Sequence, residues 1–248
     1  MKYSVCLDAL YPGVQPAQAL PEIRAAGMDT VEFWNWSNRD LAAMEKAVAE
    51  NQMEVRCFCT EGGALSLPQS HNEYLSGLER SAQAAHRLHC RRLITQTGPE
   101  TGDHVQTLRS IEEGLKKCGE VLEREDLILL VEPLNTRIDH PGYSLVYSEE
   151  AAELLERVGN PRIQLLFDLY HQQISEGDLL RHIKDCLPWI GHFHVAGSQS
   201  RGYLEDGEIL YPYVFRKIKE MGYEGCIGLE YFPKGERGFE RLPNLEAL

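Results

Sequence analysis

Residues 127–168 read LILLVEPLNTRIDHPGYSLVYSEEAAELLERVGNPRIQLLFD. Two short apolar runs, 127–132 (LILLVE) and 163–168 (IQLLFD), bracket an amphipathic stretch, 148–158. That stretch opens at Ser148 and is stopped by Gly159-Asn160-Pro161, a helix terminator. Runs that are apolar at nearly every position suit parallel strands buried on both faces. The segment is therefore one strand–helix–strand unit, and the same rhythm continues in both directions. Strands are expected at 2–8, 29–34, 54–59, 92–96, 127–132, 163–168, 189–195 and 226–231. Helices are expected at 16–26 (closed by Gly27), 38–51 (capped by Asn38), 71–89, 103–124, 148–158, 176–186 and 211–221. Eight strands in 248 residues allow about 31 residues each, the length of one βα unit. An α/β fold follows: a (β/α)8 TIM barrel forming a single domain over residues 1–248. A doubly wound open sheet is the alternative. It calls for a glycine-rich phosphate turn after the first strand, and Ala9-Leu10-Tyr11-Pro12-Gly13 does not supply one.

Composition narrows the function classes. Hydrophobic residues are 43% and charged residues 25%, enough to build a core without disulfides or a structural metal. The net charge of −13 argues against a nucleic-acid partner and against an anionic membrane surface, both of which need a basic face. No run is long and apolar enough to span a bilayer, and MKYSVCLDAL lacks the apolar core of a signal peptide. The seven cysteines (6, 57, 59, 90, 118, 186 and 226) then read as reduced thiols of a cytoplasmic protein. Cys57-Phe-Cys59 has no second cysteine pair nearby, so ordinary burial is preferred to a metal or redox role.

The chemistry lies at the strand ends. The fifth strand ends at Glu132, the sixth at Asp168, the seventh near His194 and the eighth at Glu230. In a barrel these are consecutive neighbours, and their C-terminal ends open on one mouth, where barrel active sites lie. Three carboxylates and an imidazole crowded together repel one another unless a divalent cation joins them. An oxygen-rich set with one histidine suits Mn²⁺ or Mg²⁺, with Co²⁺ as a further candidate.

Several segments carry a resemblance. Val131-Glu132-Pro133-Leu134-Asn135, Phe167-Asp168-Leu169-Tyr170-His171, Gly191-His192-Phe193-His194-Val195 and Gly228-Leu229-Glu230-Tyr231 resemble the signature segments of the xylose-isomerase-like barrel superfamily, whose barrel endonuclease IV-type proteins share. Asn135-Thr136-Arg137 with Pro141-Gly142-Tyr143, and Arg201 with Gly207-Glu208 and Tyr211-Pro212-Tyr213, resemble its hydroxypyruvate isomerase branch, with ketose 3-epimerases as cousins. The resemblance implies that Glu132, Asp168, His194 and Glu230 bind a divalent metal. It also implies that Glu132 and Glu230 are the acid/base pair, that His171 holds a substrate oxygen and that Arg201 meets a substrate carboxylate or hydroxyl. A homo-oligomer is the family expectation. The implied reaction takes a proton from the carbon beside a carbonyl, with the metal stabilising the enediolate. Returning the proton to the neighbouring carbon isomerises; returning it to the other face of the same carbon epimerises. The chain departs from both branches. His194 stands where many hydroxypyruvate isomerases have Gln, Gly202-Tyr203-Leu204 replaces a His-Glu-Pro after Arg201, and Ile138 replaces a second epimerase Glu.

The expected partner is a small carbohydrate or hydroxy-keto acid. His192 shares a strand face with His194 and is a candidate substrate-side or supporting residue. Trp34 and Trp36 follow the second strand, where sugars can stack on them. Glu32 is a candidate for a hydrogen bond within the mouth, with a structural role preferred; Glu61 is a candidate lid residue, with a solvated loop carboxylate preferred; His86 and His89 read as residues of an outer helix. A phosphodiesterase of the endonuclease IV type would want more histidines and a basic groove, and a non-catalytic sugar-binding barrel would not need both Glu132 and Glu230.

Overall fold

In the computed structural model, which describes residues 1–233 and 242–243, eight parallel strands close on themselves. They are β1 (Lys2–Cys6), β2 (Thr30–Phe33), β3 (Glu54–Cys59), β4 (Arg92–Thr95), β5 (Ile128–Val131), β6 (Ile163–Asp168), β7 (Ile190–Val195) and β8 (Cys226–Leu229). Each pairs with its neighbour in sequence, and β1 pairs with β8 through Val5 opposite Leu229. That closure excludes the open sheet. The order arises because each crossover carries a helix: α1 (Leu7–Leu10), α2 (Pro16–Ala25), α3 (Leu41–Glu50), α4 (His71–Arg87), α5 (His104–Arg124), α6 (Ser148–Val158), α7 (Leu169–Ser175), α8 (Leu179–Cys186) and α9 (Tyr211–Glu220).

Two helix boundaries and one strand end differ from the expected ones, each for a local reason. The third helix starts at Leu41, because Asp40, not Asn38, accepts the N–H groups of Ala42 and Ala43 at 3.0 Å. Asn38 lies instead in a turn closed by the Asn35 side chain. The helix expected at 176–186 is preceded by a separate one, α7, because Asp168 caps residues that follow β6 directly. Gly177 and Asp178 then take positive φ angles of 68° and 43° and break the chain before α8. The first strand stops at Cys6, two residues early, where α1 begins.

Side chains pointing outward from the strands, such as Val5, Phe33, Leu129, Phe167 and Leu229, are buried beneath the helices in one large core. Inside the barrel the filling divides. Cys57, Ile94, Leu130 and Leu166 form an apolar cluster of their own on the β3–β6 side. Across from them lie the fully buried Ser4, Glu32 and His192. All seven cysteines are free, six of them buried and Cys59 half-buried. No described helix is long and apolar enough to cross a membrane.

Candidate active site at the barrel mouth

Backbone geometry places the four acidic and imidazole groups before any of them meets a ligand. Glu132 and Glu230 stand one residue beyond their strands, yet their N–H groups still donate to Thr95 and Val195 of the neighbouring strands at 3.2 and 3.0 Å. Pro133 then has no N–H with which to continue the ladder. Asp168 is the last residue of β6, paired in register with His194. One of its oxygens caps α7 by accepting from Tyr170 N–H (2.8 Å) and His171 N–H (3.4 Å), so the other is left to face the site.

Donor atoms of Glu132, Asp168, His194 and Glu230 all lie within 4.8 Å of one another, and all four residues are buried. His194 Nδ1 sits 3.4 Å from Glu132 and 3.5 Å from Glu230, without a hydrogen-bond partner. Burial, aided by the charge of Glu230, pushes the Asp168 carboxyl up to about 6. Burial also opposes the charged forms of His194 and Arg201. The surrounding carboxylates together outweigh it and raise both above their ordinary values, Glu230 most strongly among those carboxylates. The cluster thus demands positive charge. Three carboxylates and one orphaned imidazole nitrogen are a donor set that fits a divalent cation, whose binding would release the His194 proton.

A second layer, below the mouth, orients His194. Glu32 Oε1 is in ion-pair contact with His194 Nε2 at 2.9 Å, and Glu32 Oε2 accepts from His192 Nε2 at 3.0 Å and from the Ser4 hydroxyl at 2.5 Å. The Cys57 thiol lies 3.6 Å from the same oxygen. Burial would raise the Glu32 carboxyl, but His194 and His192 hold it well below the usual range. His192 is neutral, lowered to about 4 chiefly by burial. A carboxylate on Nε2 favours the proton there and leaves the Nδ1 lone pair for a metal. Gly228 makes room for this contact: a Cβ at that position would lie 2.8 Å from Glu32 Oε2 and 2.6 Å from His194 Cδ2.

The remaining candidates distribute as follows. His171 is buried at the edge of the cluster, with Nδ1 accepting from the Asn135 amide at 2.7 Å. Its Nε2 has no hydrogen-bond partner and lies 3.5 Å from Asp168 Oδ2. Burial lowers its pKa to about 4, so it is a neutral N–H donor. Arg201 reaches the cluster from the loop after β7, in an ion pair with Glu230 and over the ring of Tyr170 at 5.2 Å. Trp34 donates its indole N–H to Glu230. His192 is in the second layer against Glu32, one step removed from the cluster. Glu61 contacts Arg80 at 3.7 Å, and His86 bonds Glu125 at 2.9 Å on the surface.

Sequence reasoning gave no role to Asn135 and passed over Asp139. Asn135 holds Asp139 at 2.7 Å as well as His171, and the Tyr170 hydroxyl donates to Asp139 at 2.8 Å. For Glu32 a hydrogen bond within the mouth was one expectation, but its partners His192 and His194 went unread. The signal available for it was a carboxylate at an inward position of the second strand.

The model of the xylose isomerase-like TIM barrel family matches residues 20–246. The chain belongs to this family. Among relatives of this TIM barrel, a human protein provisionally named a hydroxypyruvate isomerase is 32% identical, over 95% of this chain and 91% of that protein. The hydroxypyruvate isomerase of Escherichia coli K12 is 27% identical over 94% of each chain. A solved structure of a family 2 AP endonuclease from Brucella melitensis matches with a TM-score of 0.90 at 27% identity, over 96% of this chain and 95% of that one. The human and Escherichia coli relatives, which match over most of the chain, are named isomerases, and the barrel is an enzyme of the isomerase kind.

Proposed function

We propose that this barrel is a metal-dependent isomerase of a small hydroxy-keto acid or sugar, similar to hydroxypyruvate isomerase, working by proton transfer through an enediolate. The observation that carries the reading is the pair Glu132 and Glu230 on either side of His194 Nδ1, with Asp168 completing a four-residue donor set. Glu132, Asp168, His194 and Glu230 would hold the metal, Mn²⁺ or Mg²⁺ with Co²⁺ as a further candidate. When bound, it supplies positive charge against the oxyanion that forms. One glutamate takes the proton beside the carbonyl, and the other, or the same one, returns it. Trp34 and Arg201 fix the rotamer of Glu230. His171 offers its Nε2–H to a substrate oxygen, held in that tautomer by Asn135. His192 supports Glu32 from below.

A second reading, epimerisation at C3 of a ketose, is favoured by one residue, His194, which stands where epimerases carry His. Product analysis separates the two. Phosphodiester cleavage fits less well, since the net charge is −13 and the mouth gathers carboxylates that repel a phosphodiester.

The test is a panel of hydroxypyruvate, ketoses and sugar acids in D₂O with each metal. Deuterium should enter the carbon beside the carbonyl. Turnover without solvent exchange would point to a hydride shift instead. The metal gives an independent readout. Mn²⁺ at a hundredfold excess over its Kd should stabilise metal-stripped protein by about 2.7 kcal/mol. Unchanged melting curves would sink the metal assignment.

Arg201→Lys tests the recognition of charge. A lysine cannot reproduce the guanidinium fork on a carboxylate. kcat/KM should therefore fall more for acidic substrates than for neutral ketoses. Equal losses on both would show that Arg201 only positions Glu230.

A further inference from the structure

A chamber of about 550 Å³ is walled by the loops that follow β2, β3, β4 and β5 and does not itself include the carboxylate cluster. That volume is within the roughly 300–1,000 Å³ of sites that take small organic ligands. Two lining residues connect it to the reacting groups. Trp34 donates to the Glu230 carboxylate. Tyr143 donates its hydroxyl to the Glu132 carbonyl at 3.1 Å and accepts from Thr97 N–H at 2.6 Å. Trp34 and Tyr143 thus stand between the chamber and the two glutamates, so a substrate held there by its reacting carbons would extend its next carbons toward the chamber.

The chemistry of the walls is neutral. Among the described residues no lysine or arginine lines the chamber, and its one carboxylate, Glu61, faces Arg80 at 3.7 Å. Gln96, directly after β4, is exposed, and its amide makes no hydrogen bond among the described residues. Trp36 gives its indole N–H to Ser81 at 3.1 Å, so only its ring surface is free for a ligand. Amides and aromatic faces suit hydroxyls and C–H groups. A phosphate wants guanidinium or ammonium partners. Arg201 reaches the cluster from the other side, over Tyr170 after β6 and against Glu230 after β8.

We propose that this chamber is a subsite for the uncharged, hydroxyl-bearing end of a substrate with four or more carbons, and that it discriminates against a phosphorylated end. The acid end then lies toward Arg201. The placement of the reacting carbons rests on the isomerase reading above.

Calorimetry on the full chain with Mn²⁺ tests it without requiring turnover. The probes are glycerate, threonate, gluconate and 6-phosphogluconate, which share one acid end and differ at the other. Affinity should rise at least about tenfold from glycerate to gluconate, the effect of one good contact, and fall by a similar factor when the phosphate is added. Gln96→Arg should reverse the second preference. A flat series from glycerate to gluconate, or equal binding of gluconate and its phosphate, overturns the subsite. A rising series with no deuterium exchange on any substrate upholds the subsite and sinks the isomerase reading instead.

Discussion

Glu132→Gln and Glu230→Gln should each lower kcat by about 10²- to 10⁴-fold, the usual contribution of a general base. Both side chains are buried, and Gln keeps their shape and one ligand oxygen while removing the base. The two losses should differ in kind. Glu230 accepts from Trp34 and pairs with Arg201, so its replacement also frees a half-buried guanidinium. Arg201 and His194 hold the Glu230 carboxyl well below the ordinary range against the opposing effect of burial, so it is ionised at neutral pH. For Glu132→Gln the fold should be undisturbed, with the loss confined to proton transfer and metal geometry. The measurement is single-turnover deuterium incorporation by wild type and both variants. Full activity in both variants would reduce these glutamates to ligands or bystanders.

Glu32→Ala should have the largest effect on stability. It removes the carboxylate that contacts His192, His194 and Ser4, all in the sealed barrel interior. Removing one member of a buried charged pair typically costs about 3–5 kcal/mol, because the remaining partners stay desolvated and unmatched. For a chain of this length that is a fall in Tm of roughly 6–20 °C. Glu32→Gln separates packing from charge. It preserves the volume but replaces the carboxylate facing His194 Nε2. Mn²⁺ affinity should then fall about 10- to 100-fold, as for other groups that orient a metal-bound histidine. A Glu32→Gln protein with wild-type Mn²⁺ affinity would show that His194 needs no such support.

Much of this molecule is legible in its linear sequence, because the relevant physics is local. A strand buried on both faces must be apolar throughout, and a helix must stop at Gly159-Asn160-Pro161, whatever surrounds them. Repeated eight times, those rules leave few topologies. The carboxylates at the ends of β5, β6 and β8 and the imidazole of His194 were visible for the same reason, since polar residues closing apolar strands stand out. What the sequence does not contain is the partner of each buried group. Glu32 and His192 are 160 residues apart and lie on β2 and β7, strands that do not pair. They meet only across the interior of the closed barrel, where Gly228 leaves room that no side chain fills. Likewise His171 finds Asn135 only after α7 is capped by Asp168, and Arg201 finds Glu230 only when its loop folds over the mouth. Strand periodicity is set by which face each residue shows. The choice of partner for a desolvated charge is set by distances across the closed barrel, and those exist only in three dimensions.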